Sequence, residues 1–297
     1  MEILKGNKSN VTLKYVPHGI NSDIFHKTNV PAEFKQQLFN GKEFKFVVFW
    51  MNRNIKRKQP SDVIWAYKLF VDMLPENERL SCALVMHTQP RDDNGTDLIA
   101  VKEAICPDYN VIFSEARISQ DQLNYLYNLS DVTINLAGNE GFGLTTAESL
   151  MAETPIIVNV TGGLQDQCGF KKDDKELTAE DYIEIGSLHE WRKWEGKLEH
   201  GEWVKPVWSR VQTLAGSIPT PYIIDDKVDV VDAAEALKSW YDTNKYDRIE
   251  AGKAGREWML GSSGLNASNM CLQMHLAFQE TLKNWTRRER YKVYKIR

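Results

Sequence analysis

From Phe44 onward, short runs of β-branched and aromatic residues alternate with stretches of helical periodicity, and this alternation constrains the fold more than any other feature of the chain. The first run, Phe44–Met51, is continuously apolar from Phe46. A predicted helix over Ser61–Met73, a strand over Cys82–His87 and a helical segment after Asp97 follow it. The pattern continues with strand Val111–Ser114, helix Gln120–Leu129, strand Val132–Leu136, helix Leu144–Ala152 and strand Pro155–Val160. Near-continuous apolar strands separated by amphipathic helices belong to a parallel sheet covered on both faces, so the expected class is a doubly wound, Rossmann-like α/β domain.

The rhythm breaks after Gly163. Residues 171–220 are polar, carry Trp191, Trp194, Trp203 and Trp208, and show no βα alternation, which predicts an insertion packed on the sheet domain. A strand at Tyr222–Ile224 and a helix over Val231–Tyr241, with Asp229 as its cap, then resume the pattern. The remainder reads as helical, giving one domain over residues 1–297 with an insertion at 171–220 and a helical tail at 265–297. At 42% hydrophobic and 26% charged residues the composition excludes a disordered or fibrous chain. Thirty-seven basic against forty-one acidic side chains give a net charge of -4, so bulk electrostatics do not favour nucleic acid. Four scattered cysteines form no CxxC pair, and neither a signal-peptide core nor a membrane span is visible. The expected location is the cytoplasm.

The chemistry concentrates in Asn139–Glu148, which follows a strand and opens a helix. With the helix starting near Leu144, Glu140 projects from the loop at the C-terminal edge of the sheet and Glu148 from the second helical turn. The two carboxylates then bracket a ligand at the helix N-terminus, where the amides of Gly143, Leu144 and Thr145 favour a phosphate. Arg53, Lys56, Arg57 and Lys58 follow the first apolar strand, at the edge where open α/β sheets bind ligands.

These stretches resemble the donor half of retaining GT-B glycosyltransferases, in particular the family 4 group, whose nucleotide-sugar domain carries two glutamates separated by seven residues in this context. The similarity runs in order through Val16-Pro17-His18-Gly19-Ile20 with Phe25, Asn52-Arg53-Asn54 with Arg57-Lys58, the Glu140 to Glu148 stretch, and Thr161-Gly162-Gly163-Leu164, over residues 11–165. The resemblance implies a nucleoside-diphosphate sugar as donor substrate, a hydroxyl acceptor and no metal-dependent catalysis. It gives Arg53 and Lys58 the diphosphate, Glu148 the ribose hydroxyls and Glu140 the face of the transferred sugar, with Gly162 and Gly163 in the glycine loop beyond.

Other residues carry open alternatives. His18 either approaches the donor or makes a structural hydrogen bond, and Ser114 either borders the nucleobase or caps its loop. His87 and Thr88 read as structural. Asp92, Asp93 and Asp97 cluster without the fixed spacing of a metal site. About 40 residues precede the first core strand, too few for a second domain of typical size, so the acceptor half of such an enzyme is expected from another protein or a second copy. The rival readings are a nucleotide-sugar-binding subunit with no turnover of its own and a phosphorylase-like enzyme. The basic, aromatic stretch Lys283–Arg297 reads as a solvated helix end or as a docking surface.

Overall fold

A computed structural model describes residues 13–177, 179–185 and 194–285. Its central sheet contains β1 (Phe46–Met51), β2 (Cys82–His87), β3 (Asn110–Ser114), β4 (Val132–Asn135), β5 (Ile156–Asn159) and β6 (Val204–Val207). The order in space is β3-β2-β1-β4-β5-β6, and every pairing is parallel. The expected class is therefore observed: a doubly wound, Rossmann-like α/β sheet. Chain order reverses between β1 and β4, where Val48 pairs with Val132, and the crevice beyond the carboxyl ends of these two strands is the topological switch point.

Helices α1 (Ala32–Phe39), α2 (Pro60–Asp72), α3 (Leu98–Ile105), α4 (Gln120–Leu129), α5 (Leu144–Met151), α6 (Val230–Asp242), α7 (Lys245–Leu260) and α8 (Ala267–Asn284) accompany it. Period-two alternation in β1 sends Phe46, Val48 and Trp50 to one face, in a cluster with Ile64, Tyr67 and Phe70 of α2 and Leu237 and Trp240 of α6. Val47 and Phe49 join Tyr127 of α4, Leu150 of α5 and Met259 of α7 on the other face. Local chemistry agrees with these boundaries. Asp97, Asp229, Asn244 and Asn266 each cap the helix that follows, and Ser119 with Gln122 forms a capping box at α4.

The span 171–220 departs from expectation. Its segment Val204–Val207 is the sixth strand of the main sheet, paired in parallel with β5, rather than part of an insertion packed on the sheet domain. Four residues containing Pro206 and flanked by Trp203 and Trp208 give a weak strand signal, and an edge position is where a sheet tolerates proline. The strand expected at Tyr222–Ile224 lies instead at β8 (Ile224–Val228), pairing in antiparallel fashion with β7 (Ser209–Leu214) in a two-stranded ribbon. Most of the tail is α8, which has no buried residue. Trp191, Val11 and the basic residues beyond Trp285 lie outside the described residues. No helix among the described residues is long and apolar enough to cross a membrane.

At the amino ends of the strands, Asp131 accepts hydrogen bonds from the Val47 amide (2.8 Å) and from Arg248 on α7 (3.0 Å). Burial raises the Asp131 pKa against the pull of these donors. Removing one partner leaves the other ion buried and unpaired, so Asp131→Ala should cost about 3 kcal/mol of stability, read from urea unfolding.

Candidate active site

Two turns meet beyond the carboxyl ends of β4 and β5. Gly143, in the left-handed conformation (φ 91°), starts α5, and Gly162 (φ 47°) starts a short helical turn, Gly162–Gln165. The Gly163 amide donates to the Glu140 carbonyl (2.9 Å), locking the turns together. A Cβ at Gly162 would stand 2.1 Å from that carbonyl oxygen, and one at Gly163 would stand 2.4 Å from the Gly141 carbonyl. Glycine is required here because backbone meets backbone.

The same contact aims Glu140 across the crevice towards β1. Its carboxylate receives Arg57 Nη1 at 3.1 Å and the Lys58 ammonium, while Arg57 also donates to the Asn139 carbonyl (2.6 Å). Lys58 ends a single 3-10 turn, Lys56–Lys58, and is 7% exposed. Burial pulls its pKa below the ordinary lysine value, with the hydrogen bond it donates to Glu140 opposing the shift. Arg53 stands apart as an exposed bidentate partner of Asp92, at 2.8 and 3.2 Å. Asn54, fully buried, bonds Pro90 and Thr96 and thereby pins the loop that carries Asp92 beside the loop that carries Arg53.

Glu148 sits on the second turn of α5 and accepts a hydrogen bond from the Tyr127 hydroxyl (2.7 Å). Burial pushes its pKa up to about 7, outweighing that bond. The Tyr127 ring packs edge-on against Phe49 of β1 and Phe25. His18 is exposed, lies over the Phe142 ring at 5.0 Å between centroids and accepts the Gly19 amide through Nδ1.

The expected residues therefore divide. Lys58, Glu140, Gly143, Gly162 and Gly163 converge at the switch point, with Leu144 and Thr145 opening α5, Glu148 one turn further and His18 against Phe142. Ser114 ends β3, two strands or about 10 Å out from β1, where its hydroxyl meets His87 Nδ1 at 3.0 Å. The acidic cluster has partners of its own: Asp92 holds Arg53, while Asp97 caps α3 and pairs with Arg91. Arg57 shares Glu140 with Lys58, a role its place in a run of three basic residues does not distinguish. Tyr127 carries no sequence signal of its role, since nothing in a helical repeat separates a core tyrosine from one that holds a carboxylate.

Residues 30–173 match the family model described as Glycosyl transferases group 1. Over 104 residues the chain is 26% identical to trehalose synthase of Thermococcus litoralis, a match covering 35% of this chain and 25% of that protein. A glycosyltransferase from Rickettsia africae superposes with a TM-score of 0.61 at 13% identity, covering 91% of this chain and 57% of that one. Anabaena HepE, solved in complex with UDP and glucose, gives a TM-score of 0.58 at 12% identity, covering 88% of this chain and 55% of the other. The two structural likenesses show a shared α/β fold. The chain spans little more than half the length of either structure.

Two outcomes follow from this geometry. Gly162→Ala should displace the Glu140 loop and cost about 1–3 kcal/mol in thermal unfolding, because the methyl meets backbone rather than a side chain that can swing away. For Glu148, the unfolded carboxyl ionises near 4.5 and the folded one near 7, so the wild type loses stability as pH rises across that interval. Glu148→Gln, which still accepts from Tyr127, should abolish this slope and be the more stable protein above pH 7, with the gap closing towards pH 4.5.

Proposed function

We propose that the chain is the donor domain of a retaining, family 4-like glycosyltransferase that binds a nucleoside-diphosphate sugar and transfers a hexosyl group to a hydroxyl. The observation that carries this reading is the Glu140 carboxylate held by Lys58 and Arg57 at the switch point, on a glycine turn that opens α5. The diphosphate lies at the start of α5 and the Gly162 turn, near Lys58, with Arg53 able to exchange Asp92 for a phosphate oxygen. Glu140 faces the transferred sugar and Glu148 the ribose. The group 1 match and a fold relative solved with UDP and glucose support the donor class.

In the reaction the acceptor oxygen bonds to the anomeric carbon on the face the diphosphate leaves. The bond from that carbon to the phosphate oxygen breaks, and the acceptor proton passes to the departing phosphate. Arg53, Lys58 and the amides opening α5 stabilise the developing charge, the kind of preorganised electrostatics that often supplies the largest catalytic contribution. A second reading is a nucleotide-sugar-binding subunit that turns over only with an acceptor domain from a partner protein or a second copy. A cytoplasmic location suits the four free cysteines.

Calorimetry with UDP, GDP and ADP and their nucleosides tests the site. A diphosphate should bind more tightly than its nucleoside, and Lys58→Ala or Arg53→Ala should weaken it about tenfold or more. Affinity should rise with pH through about 7 as Glu148 ionises, and Glu148→Ala should cost a ribonucleotide more than its deoxy counterpart. Equal binding of nucleoside and nucleoside diphosphate would exclude the proposed phosphate site. Transfer assays with and without candidate acceptor domains separate the enzyme from the binding subunit.

A further inference from the structure

Asp226 lies in β8, outside every motif of the glycosyltransferase resemblance, yet its bonds reach the turns on both sides of the site. Its Oδ2 accepts the Thr161 hydroxyl at 2.6 Å, and its Oδ1 accepts Gln212 Nε2 of β7 at 2.7 Å. Its amide donates to the Gly138 carbonyl (2.8 Å), and its carbonyl accepts Nδ2 of Asn159 (2.9 Å), which also donates to the Ala137 carbonyl. Thr161 is the residue from which the Gly162–Gln165 turn starts, and Gly138 lies two residues before Glu140. A Cβ at Gly138 would come within 3.1 Å of the Asp226 carbonyl, so the ribbon packs directly on the Glu140 loop. Asn139 Nδ2 reaches the Ile224 carbonyl at 3.4 Å, a second tie one residue nearer the carboxylate.

We propose that Asp226 is a positioning residue: acting through Thr161, it sets the Gly162–Gly163 turn against the Glu140 loop and anchors the β7–β8 ribbon as a wall of the donor site. Both carboxylate oxygens are already engaged by protein donors, so the residue works on the ligand indirectly. The inference rests on the donor-site reading for its effect on nucleotide affinity, but the positional claim stands on the protein's own bonds. It also distinguishes alanine from asparagine at this position. Gln212 Oε1 is buried without a hydrogen-bond partner among the described residues. A turned Gln212 amide therefore offers an acceptor to the new Nδ2 of Asp226→Asn, while Oδ1 still accepts from Thr161. Asparagine keeps both links and alanine keeps neither.

The test uses the full chain and the variants Asp226→Ala, Asp226→Asn and Thr161→Val. Amide hydrogen exchange without nucleotide should quicken about tenfold or more in Asp226→Ala at residues 161–165 and 138–141, with α2 unchanged. Thr161→Val should reproduce the effect at 161–165, and Asp226→Asn should restore near-wild-type exchange. In calorimetry with whichever of UDP, GDP and ADP binds the wild type, Asp226→Ala should weaken binding about tenfold and Asp226→Asn should recover most of it. Unchanged exchange at 161–165 in Asp226→Ala, or a rise shared equally by α2, overturns the proposal. So does unchanged nucleotide affinity in a variant whose turn has loosened. A wild type that binds none of the three diphosphates refutes the donor-site reading instead, and the exchange pattern still decides the role of Asp226.

Discussion

The site is organised by an approach of two backbones that only glycine permits. With the Gly163 amide on the Glu140 carbonyl and Cβ positions denied at Gly162 and Gly163, the loop beyond β4 has one place to lie. That placement orients Glu140 towards the loop beyond β1 and leaves the first amides of α5 facing the crevice. The sheet order supplies the other half of the condition, because only at the reversal between β1 and β4 do neighbouring loops diverge and leave room for a ligand.

Charge in the crevice is balanced locally. A buried ammonium is costly unless paired, and Lys58 is paired with Glu140, itself shared with the more exposed Arg57. The Arg53–Asp92 pair is of another kind: the arginine side chain is 63% exposed, a setting in which ion pairs contribute little and exchange partners readily. A cation locked to an acid of the site and a cation lightly held beside it thus coexist on one short loop.

Much of this was legible in the chain. The five strands from β1 to β5 follow apolar runs of a kind that a polar loop cannot imitate, and Glu140, Glu148 and the paired glycines stand out because turn chemistry ties them to their places. The sixth strand was not legible, since four residues interrupted by Pro206 carry no periodicity and become a strand only when β5 offers an edge. The ribbon was misplaced for a related reason: Ile224–Val228 contains Asp225, Asp226 and Lys227, and its extended form depends on β7 and on the turns beneath it. Asp226 and Tyr127 show the limit of reading a sequence locally. Their significance lies in partners such as Thr161 and Glu148, at distances along the chain that no spacing rule connects.

The central position of β1 has a consequence for how the protein is made. Its pairing with β2 spans a short βα unit, but its other edge waits for β4, which emerges from the ribosome roughly 80 residues later. At the usual pace of synthesis, about 5–20 residues per second, that delay is about 4 to 16 s. Throughout it, the apolar run from Phe46 to Trp50 presents one unpaired edge, the condition under which strands recruit the wrong partner. The strand at the heart of the sheet is thus also one that waits long for its second partner during biosynthesis.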